Sequence, residues 1–95
     1  MKRKMVREEQ NGQMYEYMPL GKYIVSAPGV CRGRPTFKNT RIEVAGILER
    51  LSGGETIDQI VAGFRGRFSR AALEEGIKLA ARALVHEAGK RALVR

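Results

Sequence analysis

Between Glu43 and Gly89, apolar residues recur at helical spacing in three runs, each of which gives way to glycine. This pattern limits the second half of the chain to a three-helix arrangement. Val44, Ile47, Leu48 and Leu51 fall at i, i+3, i+4 and i+7, a one-sided stripe that predicts a first helix over Glu43–Leu51, stopped by Gly53-Gly54. Ile57, Ile60, Val61 and Phe64 repeat the spacing and predict a second helix over Ile57–Phe64. Thr56 and Gln59 stand three apart at its start, where hydroxyl and amide can satisfy free backbone N–H groups as a capping box. The third helix is expected to start on Ser69 as N-cap and run to about Ala88, with Gly89 just past its end. Leu73, Ile77, Ala80, Ala81, Leu84 and Val85 would form its buried face. Three amphipathic helices with short connections imply a trihelical core, and the second and third, joined through Arg65-Gly66-Arg67-Phe68, have helix-turn-helix proportions.

The first thirty residues follow another period. Met5–Gln10 and Gln13–Met18 flank Asn11-Gly12, a dipeptide that accepts the positive φ angles of a type I′ hairpin turn. Alternation in the second segment is imperfect, since Met and Tyr both recur. Met1–Gln10 reads equally as a basic arm. Pro19-Leu20-Gly21 predicts a turn, and Tyr23, Ile24 and Val25 favour a strand over Lys22–Ser26. The predicted class is α+β: a short N-terminal β-meander (residues 1–30), a basic connector (31–42) with a short extended stretch at Pro35–Lys38, and a trihelical helix-turn-helix-like core with a basic tail (43–95).

At 95 residues and 43 % hydrophobic, the chain can bury one small core. A single cysteine rules out an internal disulfide and fits a reducing compartment. No apolar run reaches the length of a membrane span, and no apolar core follows the basic Met1–Arg7, so the expectation is a cytoplasmic protein without a secretion signal. The net charge is +8, with both halves basic, which favours an anionic partner: nucleic acid or an acidic protein face.

Catalysis has little to work with. His86 is the only histidine and sits where the C-terminal dipole of a helix favours a solvated cation. Cys31 has basic neighbours, Arg32 and Arg34, that favour a thiolate, yet no base accompanies it in sequence. Glu74 and Glu75 point about 100° apart on a helix and do not form an acid/base pair. No His, Cys and acid cluster has metal-ligand spacing. Neither a catalytic residue, a metal nor a cofactor is expected.

Binding is the expected role. In the helix-turn-helix reading, Arg65 and Arg67 grip phosphates while Ser69 and Arg70 approach base edges or the backbone. Glu74 and Glu75 weaken this reading, because carboxylates one turn further on repel phosphate. The connector from Cys31 to Ile42 carries Arg32, Arg34, Lys38 and Arg41 and no acid. Gly33 and Asn39 can take left-handed backbone conformations there. Thr40 is a candidate cap for the first helix, with Glu43 as box partner. Arg41 reads as a structural side chain bonding exposed carbonyls, while Arg32 and Arg34 suit an acidic partner or phosphate.

This connector resembles the domain of unknown function 433 family. That family's pattern, roughly Cys-x-Gly-x-Pro, an extended stretch, then Gly-Thr-Arg-Ile-x-Val and an apolar helix, is matched here by Cys31, Gly33, Pro35, Phe37, Thr40, Arg41, Ile42 and Val44. The resemblance covers about residues 23–85. Asn39 replaces the usual Gly, and Glu43 stands where Pro is frequent. The resemblance implies a helix-turn-helix-like domain with a β-rich N-terminal part, acting as a VapB-like antitoxin or beside a PIN-like ribonuclease toxin. It therefore implies binding to that toxin, to operator DNA, or to both. A PIN-like nuclease has an acidic metal-binding site, which the basic tail, with Lys90, Arg91 and Arg95, would suit. A homodimer is expected, since operator-binding helix-turn-helix proteins work in pairs and an exposed meander edge offers an interface. The alternatives are a protein-binding module that never touches DNA and, further off, an enzyme using Cys31.

Overall fold

The computed structural model describes residues 4–94, with side chains to Arg91. It is α+β: a four-stranded antiparallel sheet in the order β1-β2-β3-β4, followed by three helices. Strands β1 (Val6–Gln10) and β2 (Gln13–Pro19) form a hairpin closed by the Gln10↔Gln13 pair. Asn11 and Gly12 sit at φ 50° and 78°, the two positive angles that a type I′ turn requires. The second strand alternates more cleanly than its composition suggested. Tyr15 and Tyr17 share one face, with ring centroids 4.9 Å apart, and Met14, Glu16 and Met18 take the other. Opposite Glu16 in register, Arg7 forms an ion pair at 2.6 Å on the outer face.

Strand β3 (Ile24–Ser26) pairs with β2, and β4 (Thr36–Phe37) pairs with β3. Ile24 and Val25 point to opposite faces and both are buried, so the sheet is covered on two sides here. Val25 packs with Tyr17 and Ala27 under the hairpin. Ile24 belongs to the main core with Phe37, Val44, Ile47, Ile60, Phe68, Ala72 and Leu73. The rings of Phe37 and Phe68 stack at 4.2 Å, tying β4 to the start of the last helix.

Helix α1 (Val44–Ser52) begins without the Thr40 cap that its sequence suggests. Glu43 is the N-cap residue and makes no side-chain cap bond. Thr40 turns inward instead, donating to the Phe37 carbonyl at 2.8 Å and accepting from the Ile42 N–H at 3.0 Å. The Val44 N–H donates to the Pro35 carbonyl, so the connector supplies what a cap would have. Helix α2 (Ile57–Gly63) carries the expected capping box, with both Thr56 and Gln59 contacts formed.

Helix α3 (Arg70–Val94) departs from expectation in two ways. It runs through Gly89 instead of ending before it, because the residues beyond are good helix formers and no partner supports a left-handed stop. Its buried face is also much shorter than the stripe. Ala72, Leu73 and Gly76 are buried and Leu79 is half-buried, whereas Ile77 is 40 % exposed, Leu84 71 % and Val85 73 %. A helix rises about 1.5 Å per residue, so α3 outruns the small body after roughly ten residues. Its buried part is held by Glu75, whose carboxylate accepts from the Lys22 and Tyr23 backbone N–H groups, each at 2.8 Å. Gly21 leaves room for this clamp, since a Cβ there would lie 2.6 Å from the carboxyl.

Candidate nucleic-acid interface

The basic side chains divide into those that have found carboxylates and those that have not. Arg34 forks onto Glu43 at 2.7 and 3.2 Å, which raises the arginine's pKa and holds the Glu43 carboxyl below its ordinary 4.5. Arg50 does the same with Glu55 at 2.7 and 2.8 Å and lies over the Phe64 ring. Arg70 bridges Asp58 at 2.6 Å and Glu74 at 3.1 Å, joining the start of α2 to the first turn of α3.

These pairs set the surroundings of the expected DNA set, Arg65, Arg67, Ser69 and Arg70. Arg70 is engaged inside the fold, and the Ser69 hydroxyl accepts from the Ala72 N–H at 3.1 Å as the α3 cap. Arg65 and Arg67 stand exposed in the turn between α2 and α3, where Arg65 and Gly66 take φ 55° and 75°, and neither has an ion-pair partner among the described residues. The acidic pair loses much of its force as an objection. Glu75 is committed to two backbone N–H groups and Glu74 to Arg70.

Three side chains that were not in the expected DNA set join this turn. Arg67 borders a shallow groove of about 220 Å³ together with Lys22, Lys38 and Ser69. Lys22 lies 5.3 Å from the centroid of the Tyr23 ring. Lys38 sits over the Tyr17 ring at 5.1 Å and 3.8 Å from Glu8, and the Tyr17 hydroxyl is the main cause of its raised pKa. Arg67 also borders a larger groove of about 450 Å³ that Arg41 and Asn39 line. Arg41 does not bond carbonyls as expected: its guanidinium has no partner among the described residues, and it is its own backbone carbonyl that accepts from the Cys31 thiol at 3.4 Å. Lys22 gave no sequence signal because it is brought here by Glu75, fifty-three residues away in the chain.

Of the expected partner-binding residues, Arg32 is exposed and has no ion-pair partner among the described residues, at φ 57° within a one-turn helix over Cys31–Gly33 whose backbone is left-handed throughout. Arg34 is consumed by Glu43. Lys90 is exposed, Arg91 pairs with Glu87 one helical turn back at 2.9 Å, and Arg95 lies outside the described residues. No cluster of three or more His, Cys, Asp or Glu side chains able to hold a metal ion occurs among the described residues. No helix among them is long and apolar enough to cross a membrane.

No curated protein and no solved structure matches the chain. One family model does, over residues 24–66, a shorter stretch than the resemblance suggested, running from β3 through the connector, α1 and α2 to the Arg65-Gly66 turn. Over that segment the chain is similar to the family described as "Protein of unknown function (DUF433)".

Proposed function

We propose that this chain is an antitoxin-type binding protein, cytoplasmic and without catalytic activity, that contacts operator DNA through the face built by Arg65, Arg67, Lys22, Lys38 and Arg41. The observation that carries this reading is the division of the basic side chains. Arg34, Arg50 and Arg70 are neutralised within the fold, while these five are gathered at the α2–α3 turn with one 3.8 Å carboxylate contact among them. Phosphates are the ligands such a face attracts.

The toxin would engage the free half of α3. There Leu84 and Val85 lie open, and Arg82, Lys90 and Arg91 surround them with Glu87 as the one acid, while Ile77 and Lys78 lie exposed just before it. That chemistry suits the acidic site of a PIN-like ribonuclease. Dimerisation would use the outer edge of β1, which no other strand covers among the described residues.

Titrating a DNA duplex by fluorescence anisotropy at rising salt tests the DNA contact. Log affinity should fall linearly with log salt, and the Arg65→Ala/Arg67→Ala double variant should flatten the slope by about one unit per lost phosphate contact. An unchanged slope ends the DNA reading. What would then stand is a protein-binding module without DNA, which the closed Asp58–Arg70–Glu74 network at the head of α3 favours. Leu84→Glu should abolish capture of a PIN-like ribonuclease; retained capture removes α3 from the toxin contact.

A further inference from the structure

The larger groove is framed by the tip of the β1–β2 hairpin on one side and the connector on the other, and its chemistry differs from that of the α2–α3 turn. We propose that it is a nucleotide-reading site, which takes one unpaired nucleotide with its phosphate on Arg41 and Arg67 and its base edge on the amides of Gln10, Gln13 and Asn39.

Its volume, about 450 Å³, lies in the range of small-ligand sites. Two unpaired guanidinium groups border it, Arg41 and Arg67, and the carboxylate at its rim, Glu16, is bound to Arg7 at 2.6 Å. The groove is therefore positive, as a phosphate requires. The amides answer the other half of a nucleotide. The Gln10 amino group donates to the Asn39 side-chain oxygen at 2.5 Å. That bond leaves the Gln10 carbonyl oxygen as an acceptor and the Asn39 amino group as a donor, neither of them bonded among the described residues. Amide acceptors and donors are the groups that read the edge of a base. Gln13 lines the groove with its amide unbonded among the described residues. The floor is preset: Asn39 is held at φ 66°, with its N–H donating to the Tyr15 hydroxyl at 3.2 Å. A paired base shows only one edge at the floor of a helical groove, so a cleft walled on both sides admits a base that is unstacked. The site shares Arg41 and Arg67 with the duplex contact proposed above and rests on that reading for them, while the amides of Gln10, Gln13 and Asn39 belong to this groove alone and Arg65 lies outside it.

The test uses the full chain and fluorescein-labelled homopolymers of dA, dC and dT about twelve nucleotides long, read by anisotropy beside a duplex of random sequence. One homopolymer should bind about tenfold tighter than the others, the discrimination expected of a good amide–base pairing. Gln10→Ala/Gln13→Ala leaves the Asn11-Gly12 turn in place and should erase that preference. Arg41→Ala should weaken every homopolymer about tenfold, in line with the loss of a charge-assisted phosphate contact. Arg65→Ala should weaken the duplex while the base preference persists. Displacement of the preferred homopolymer by millimolar free mononucleotide assigns a free nucleotide as ligand; binding that resists it assigns the strand. Equal affinity for all three homopolymers, or a preference untouched in the hairpin variant, overturns the proposal. A chain with all its residues unaltered that shows the base preference but binds no duplex removes the DNA reading and leaves this site standing.

Discussion

The two halves of α3 have similar sequences and opposite circumstances. From Arg70 to Leu79 the helix is a core element: Leu73 is fully buried, Ala72 nearly so, and Glu75 and Arg70 fasten it to the sheet turn and to α2. From Ala80 to Arg91 every residue is exposed, Leu84 and Val85 by more than two thirds. The same apolar spacing is a packing device in one half and a presented surface in the other. A periodic stripe states that a helix can bury a face; the presence of a neighbour decides whether it does.

The sharpest way to break this comparison is one truncation in each half. Leu73→Ala removes a fully buried side chain and should cost about 2–5 kcal/mol. Leu84→Ala should stay within roughly 0.5 kcal/mol, as for an exposed site, and urea unfolding of the two variants reads both. A large loss at Leu84 would mean that the second half is covered in solution.

Glu75→Ala comes next. It strands the Lys22 and Tyr23 N–H groups and should cost about 1–3 kcal/mol. Because it also releases Lys22, duplex affinity should fall with it, whereas an alanine at His86, exposed in the free half, should alter neither.

The glycines invert in sign. A Cβ on Gly76 would meet Val44 Cγ1 at 2.9 Å, and Val44 is β-branched and buried, so Gly76→Ala should lower the thermal midpoint despite its better helix propensity. A Cβ on Gly89 meets nothing within 4 Å, and Gly89→Ala should strengthen the free half by about 0.5–1 kcal/mol, visible as increased helical circular dichroism.

Acid gives the smallest effect, confined to the body. Glu43 and Glu55 have folded pKa values lowered by bonds to Arg34 and Arg50. Their contribution is present above the ordinary carboxylate range and is lost as pH falls through the lowered values. Both pairs are exposed at the surface, so the decline in thermal midpoint should be shallow, and Glu43→Gln/Glu55→Gln should flatten it.

Much of the fold was legible because its signals are local. The Asn11-Gly12 turn, the Thr56–Gln59 box and the Ser69 cap each involve residues within three positions of one another, so the residues alone specify the geometry. The Thr40 cap failed for a nonlocal reason: Pro35 supplies the acceptor that the helix start needs. The ion pair of Arg70 was illegible for the same reason, since Asp58 is twelve residues away and becomes its partner only when α2 folds back on α3.

The sequence by itself determined the class, the order of elements, the turns and the excess of positive charge, because hydrophobic period, caps and composition act over a few residues. Only the tertiary structure decided which cations remain free, which part of the α3 stripe is buried, and that Arg41, Arg67 and the hairpin amides share one groove. Those outcomes depend on whether a carboxylate, an apolar face or a backbone N–H from elsewhere in the chain comes within bonding distance, and spacing along one element carries no information about that.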